Sequence, residues 1–165
     1  MIIKENTYEP CPQGMWPAVC CDVIDLGMKD TQYGIKHKLA ISFQTDQLRD
    51  DSKPYVVRRT YNVTMHPKGE LCKDLVRWRG RPFTPEERCG FDLEKLIGVN
   101  CQVLVSHNIQ DHGTWANVDS VLPAAKDAVK MSVDADYVRA RDKAPVEDSG
   151  NGSDEETAEE EQVPF

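Results

Sequence analysis

The spacing of apolar residues most constrains the fold, because in several segments apolar residues recur at every second position. The clearest case is IKHKLAISFQT, residues 35–45, where His37, Leu39, Ile41 and Phe43 share one parity and lysines and small or polar residues occupy the other. Such alternation is typical of a strand with one face buried. The segment therefore predicts a half-buried strand whose open face begins with basic residues.

Four other segments have the composition of strands, being rich in β-branched and aromatic residues. In the first of them, residues 15–27, the apolar parity changes midway, which predicts a bend or a β-bulge. The four predicted strands are 15–27, 55–65, 99–109 and 114–122, and the predicted connectors are 28–34, 46–54 and 110–113.

A helical insert interrupts this series between residues 70 and 98. Leu71, Leu75 and Trp78 have helical spacing, and Gly80 stands where a C-terminal cap is expected. Two further helical pieces are predicted. Thr84 as an N-cap before a proline and two acidic residues starts one of them, and FDLEKLIG, residues 91–98, is the other.

Three strands, a helical insert and two more strands are the element order of the OB-fold, a five-stranded antiparallel barrel. The predicted fold class is all-β with a helical insert: an OB-fold barrel over residues 1–123, followed by a disordered acidic C-terminal tail, residues 146–165. Residues 124–145 form a linker between them, and the sequence does not decide between a marginal helix and an extended arm.

The tail holds eight acidic side chains and no basic one. Such a segment cannot bury enough apolar surface to offset its ordering entropy, so we expect it to be disordered. The sequence closes on Val163, Pro164 and Phe165. A restricted proline, an aromatic anchor and a terminal carboxylate together predict a peptide that docks in an apolar pocket with a basic rim on another protein.

From residue 154 onward the tail resembles the C-terminal tip of bacterial single-stranded DNA-binding proteins, an acidic segment that closes on Pro-Phe. The resemblance implies recruitment of replication, repair and recombination proteins. An alternative is a solubilising tail whose last residues have no role. The predicted partner-binding residues are Asp154, Glu155, Glu156, Glu159, Glu160, Glu161, Val163, Pro164 and Phe165.

A second resemblance lies within residues 15–123. The run WRGRPFT at 78–84, the segment FDLEKLIGVNCQVLVSH at 91–107 and GTWAN at 113–117 are similar to a family of small phage and prophage proteins of replication and recombination. This resemblance implies an OB-fold and a phage setting, and no functional residue is carried over from it.

Charge is unevenly distributed, since residues 1–145 are neutral overall while residues 29–88 hold 13 basic against 8 acidic side chains. A polyanion is therefore expected to bind within residues 29–88. Binding of single strands needs a basic path and aromatic faces for the bases. The predicted DNA-binding residues are Tyr33, Lys36, Lys38, Tyr55, Arg58, Arg59, Tyr61, Arg79, Arg81 and Trp115.

Each of these residues also has a purely structural interpretation. Tyr61 and Trp115 could belong to the core, and Lys36 and Lys38 could lie on an ordinary solvated strand face. Arg79 and its neighbour Arg81 could pair with the acidic residues that follow them.

The six cysteines have no CxxC spacing, and the sequence shows neither a signal peptide nor an apolar run of membrane-spanning length. These features predict reduced thiols and a cytoplasmic protein, in the host cell if a phage encodes it. We expect no enzyme activity, metal or cofactor, because there is no HExxH, phosphate-binding loop or nucleophile elbow. Cys89 with His107 as a nucleophile pair lacks a supporting pattern.

The sequence thus predicts a non-enzymatic, non-sequence-specific single-stranded DNA-binding protein with a partner-recruiting tail. An alternative is an acidic DNA mimic that occupies a host factor without binding nucleic acid. A third is an OB-type module for protein or sugar ligands. The sequence leaves open the choice between DNA and RNA, the length of strand bound, the partner's identity and the number of subunits in a possible homo-oligomer.

Overall fold

The computed structural model of the protein describes residues 10–111 and 113–142. The tail and the first nine residues lie outside this range. The strands are β1 Gly14–Thr31, β2 Gly34–Leu48, β3 Pro54–Asn62, β4 Asn100–Gln110 and β5 Gly113–Pro123. The helices are α1 Glu70–Arg79 and α2 Pro85–Cys89, with short 3₁₀ turns at Leu93–Leu96 and Ala140–Asp142.

The five strands form one antiparallel sheet in the order β3-β2-β1-β4-β5. The prediction of an all-β fold with five antiparallel strands and a helical insert between the third and fourth is confirmed. The order is compatible with an OB-fold. In the described part of the chain, however, β3 and β5 are not paired, so the sheet is not closed into a full barrel.

The core lies on the concave side of the curled sheet, which we call the inner face. It is formed by Leu39, Ile41 and Phe43 of β2 with Val103 and Val105 of β4. These residues have alternate positions in their strands, as the pattern predicted. Below, the outer face means the opposite surface of the sheet.

Helix α1 packs over the gap between the two edge strands, and its buried residues Leu71, Leu75 and Trp78 join the core. It ends at Gly80, which has a φ of 80° that favours glycine. Helix α2 begins with the predicted Thr84 cap, whose side chain accepts a hydrogen bond from the backbone of Glu87.

β1 bends at two bulges, one at Cys21 and one at Leu26, where its pairing with β2 shifts register. The change of parity in the sequence is therefore confirmed as a bulged strand. The connector predicted at 28–34 is mostly strand. β1 continues to Thr31 and the chain turns at residues 32 and 33, so β1 and β2 form a hairpin that extends beyond the core.

Residues 124–142 form an irregular extended arm. The arm crosses the outer face of β4, β1 and β2 and hydrogen-bonds to one polar side chain on each: Asn100, Asp22 and Gln44. This decides between the two conformations that the sequence left open. All six cysteines are unpaired thiols, and five of them are buried.

Candidate nucleic-acid interface

Basic side chains collect on the outer face of β2 and β3. Lys36 and Lys38 share a parity with Ala40 and Ser42, opposite to the core residues of β2, and Arg58 of β3 pairs across from Ser42. Alternate residues of a strand lie on one face. The pairing therefore brings Lys36, Lys38 and Arg58 to the same surface, and a role of this surface in DNA binding stays a prediction.

Lys29 joins this group, although its sequence context did not predict a binding residue. It lies on β1 directly opposite Lys36. Its segment resembled a turn rather than a strand. The signal that would have found it is the tight turn at Gly34, whose φ of 103° suits glycine and sets the register of the hairpin.

We call these four residues, Lys29, Lys36, Lys38 and Arg58, the basic strip. None of them has an ion pair with another residue in the described ranges. Like charges directly opposite each other destabilise a sheet. Bound anions would relieve the repulsion between Lys29 and Lys36.

The dimensions of the basic strip suit an extended polyanion. Lys36 and Lys38 are about 7 Å apart along β2, and Lys38 pairs with Asn62, which is four residues, or about 13 Å, from Arg58 along β3. A single phosphate cannot contact cations this far apart. A chain of phosphates can.

Two of the predicted DNA-binding residues are exposed aromatic side chains outside the basic strip. Tyr33 occupies the turn of the β1–β2 hairpin, where its backbone N–H donates to the Thr31 hydroxyl, and 79% of its surface is exposed. Trp115 lies on the outer face of β5, opposite Asn108 of β4, and is 43% exposed. Both rings therefore present surface on which a base could stack.

Tyr61 and Arg59 lie elsewhere, on the inner side of β3. Tyr61 is 3% exposed and its hydroxyl donates to the buried carboxylate of Asp74 at 2.7 Å, so its ring offers no face to a base. Burial, followed by the nearby Asp74 charge, raises the pKa of Tyr61 far above its usual value. The core interpretation of Tyr61 is the one that the structure supports.

Arg59 joins the two edge strands to helix α1. Its guanidinium contacts the carboxylate of Asp74 at 3.3 Å, donates to the carbonyl of Asp119 on β5 and lies over the Tyr61 ring at 5.4 Å. Arg77 of α1 donates to the same carboxylate at 2.7 Å. Asp74 thus satisfies two arginines, and Arg59 has a structural role in place of the predicted phosphate contact.

Arg79 is also held within the protein. Its guanidinium bonds to Glu87 at 3.0 Å and stacks on the Phe83 ring at 3.9 Å. The hydrogen bond that Glu87 accepts from the Thr84 backbone, and then the bond from Arg79, hold the pKa of Glu87 below its usual value. The alternative of pairing with the following acids is therefore observed for Arg79, whereas Arg81 is exposed.

Tyr55 and the predicted partner-binding residues do not belong to the basic strip. Tyr55, at the start of β3, is half-buried and packs against the core. All nine predicted partner-binding residues, Asp154 to Phe165, lie outside the described ranges and remain predictions.

The arm limits the area of outer face that a ligand can reach. Gln44 of β2 is 6% exposed, because its side chain bonds to Ser132 and Asp134 of the arm. Asp22 of β1 is 1% exposed and accepts hydrogen bonds from Arg139 and Ala140. The arm therefore covers the outer face at Gln44 and Asp22, whereas Lys29, Lys36 and Arg58 of the basic strip are exposed.

No protein-family model and no curated protein matches this sequence. Both family resemblances therefore remain predictions based on the motifs. Within the described ranges no helix has the length and apolar character needed to cross a membrane.

Proposed function

We propose that this protein binds single-stranded DNA without sequence specificity, in phage DNA replication or recombination in the host cytoplasm, and recruits partner proteins through its acidic tail. The observation that carries the proposal is the basic strip: four cations on one face, spread over several phosphate spacings and without ion pairs in the described part of the chain. Phosphates supply the missing counter-charges.

Single-stranded nucleic acid suits the surface better than a duplex for a specific reason. The basic strip lies on an exposed sheet face, and Tyr33 in the adjoining hairpin turn and Trp115 on β5 have exposed rings. Unpaired bases can turn toward these rings and stack, with each stacked base contributing about 1–3 kcal/mol. Bases in a duplex are already stacked and cannot do so.

A charge reversal at the centre of the strip tests the proposal. We expect Lys36→Glu with Lys38→Glu to abolish the electrophoretic retardation of labelled oligo-dT, whereas Lys95→Glu should leave it intact. Lys95 is an exposed lysine on the 3₁₀ turn at Leu93–Leu96 and lies outside the strip. Equal retardation by both variants would contradict the assignment of the strip, and no retardation by the unaltered protein would favour the DNA-mimic alternative.

The tail is proposed to have a separate role. Its acids compete weakly with DNA for cations, and its Pro-Phe segment binds the partner. Deletion of residues 154–165 is expected to leave or raise oligo-dT affinity while abolishing capture of replication proteins. A large loss of DNA binding on deletion would contradict this division of roles.

A further inference from the structure

A shallow groove of about 330 Å³ lies between the start of β4 and the first part of the arm. Its floor is residues 98–100, and its wall is made by Ala124, Ala128, Val129 and Lys130. This volume is at the lower end of the range for ligand pockets, which suits one aromatic ring with a small neighbour.

Hydrogen bonds hold the residues that line the groove in place. The Asn100 side chain forms two hydrogen bonds with the backbone of Met131, its amide donating at 3.0 Å and its oxygen accepting at 2.7 Å. Gly98 donates to the carbonyl of Cys20 in β1 at 2.8 Å. The floor and the wall of the groove are therefore both attached to the sheet.

The groove exposes apolar surface beside positive charge. Val99 is 42% exposed and Val129 is 86% exposed. Lys130 lies at the rim, and Lys126 precedes it on an exposed stretch of the arm. An occupant should therefore combine a small apolar anchor with acidic neighbours.

We propose that this groove binds the Val163–Pro164–Phe165 segment of the same chain. The segment has the required chemistry, because three apolar residues directly follow the acidic run that contains Glu159, Glu160 and Glu161. Its phenylalanine fills the groove while the acids lie near Lys126 and Lys130. This interaction does not depend on the proposed DNA binding.

The chain is long enough to reach. Residues 143–165 span at most about 75–80 Å when fully extended. The arm ends close to the groove, since Ala140 donates to Asp22, and Cys20, which binds the groove floor, is two residues, about 7 Å, from Asp22 on β1. A short tether of this kind gives a millimolar effective concentration, which supports even weak docking.

Docking within the chain would withhold the segment from a partner. A partner then has to compete with the groove for Phe165, so the protein would present its recruiting segment only to partners that bind more tightly than the groove. The affinity of the groove for the segment would thereby set the minimum affinity that a partner needs, and this effect does not involve the basic strip.

The proposal is tested in the full chain by ¹⁹F NMR after incorporation of 4-fluorophenylalanine. The protein has four phenylalanines, and Phe165→Leu assigns the signal of the last one. We expect the Phe165 signal to differ from that of a synthetic peptide of residues 154–165, and to move toward the peptide position in Val129→Ser and in Lys130→Glu. Val138→Ser is the matched control, an exposed arm valine away from the groove.

Three outcomes would overturn the proposal. One is a Phe165 signal that coincides with the free peptide in the unaltered protein. Another is an equal response to Val129→Ser and Val138→Ser. The third is a signal that moves to the peptide position on dilution, which would place the segment in the groove of a second copy.

Discussion

Arg58 and Arg59 are adjacent on β3 and are expected to respond in opposite ways to substitution by alanine. Arg59 has a side chain only 20% exposed, contacts Asp74 and donates to Asp119. Hydrogen bonds to charged groups contribute about 1.5–3 kcal/mol each, so Arg59→Ala should lower the free energy of unfolding by about 2 kcal/mol. Arg77 and Tyr61 still satisfy Asp74 and limit the loss.

Arg58 lies on the outer face and has no ion pair with a described residue, so Arg58→Ala should change stability by less than about 0.5 kcal/mol. It should instead weaken binding of oligo-dT. Urea unfolding followed by circular dichroism measures the first quantity and fluorescence anisotropy the second. Equal destabilisation by the two variants, or stronger loss of binding in Arg59→Ala at a temperature where it is folded, would refute the assignment of the two faces.

Three further predictions concern single side chains. Trp115 is the most exposed of the three tryptophans, so binding of oligo-dT should quench the intrinsic fluorescence of the protein. Trp115→Phe should remove most of that quenching, and undiminished quenching in this variant would exclude Trp115 as a stacking surface. The hydrogen bond from Arg139 holds the pKa of Glu94 below its usual value of about 4.3, so this contact contributes stability above that pH and loses it as pH falls through the lower folded value. The protection factors of the arm amides, which correct hydrogen exchange for its intrinsic pH dependence, should therefore fall in acid, and less steeply in Glu94→Gln. Burial raises the pKa of the Cys21 thiol to about 11, so this thiol should react more slowly with an alkylating reagent than the exposed thiol of Cys89. Mass spectrometry after brief alkylation at pH 8 should find Cys89 modified first, and faster labelling of Cys21 would contradict its burial under the arm.

The regular elements could be predicted from the sequence because their signals are local. Alternation in residues 35–45 identified β2, and Thr84 with Glu87 identified the start of α2. The parity change in residues 15–27 indicated the bulges of β1. Each of these signals depends on neighbours within a few residues, which a single sequence contains in full.

The faces of β3 could not be predicted with the same success. Period two shows that Arg59 and Tyr61 share a side, but not that this side meets a helix. Asp74 lies thirteen residues beyond Tyr61 and accepts hydrogen bonds from both α1 and β3. These bonds fix which side of β3 meets the helix. The residues of opposite parity on β3, which include Arg58, therefore face solvent.

The conformation of the arm could not be predicted for the same physical reason. Residues 124–142 have weak helical and weak strand propensity, and their conformation is fixed by hydrogen bonds to residues about 30–120 positions away, such as Asn100, Gln44 and Asp22. Lys29 was missed because a hairpin turn, rather than its own neighbours, places it opposite Lys36.

The salt dependence of oligo-dT binding tests the central claim most directly. Each phosphate neutralised on a single strand contributes a slope of about −0.7 to log K against log salt, so the four cations of the basic strip predict a slope of about −2.8, or roughly a 600-fold loss of affinity for a tenfold rise in salt. Lys36→Ala with Lys38→Ala should reduce the slope by about 1.4, and Lys95→Ala should leave it unchanged. A flat salt dependence in the unaltered protein, or no binding at low salt, would contradict the account.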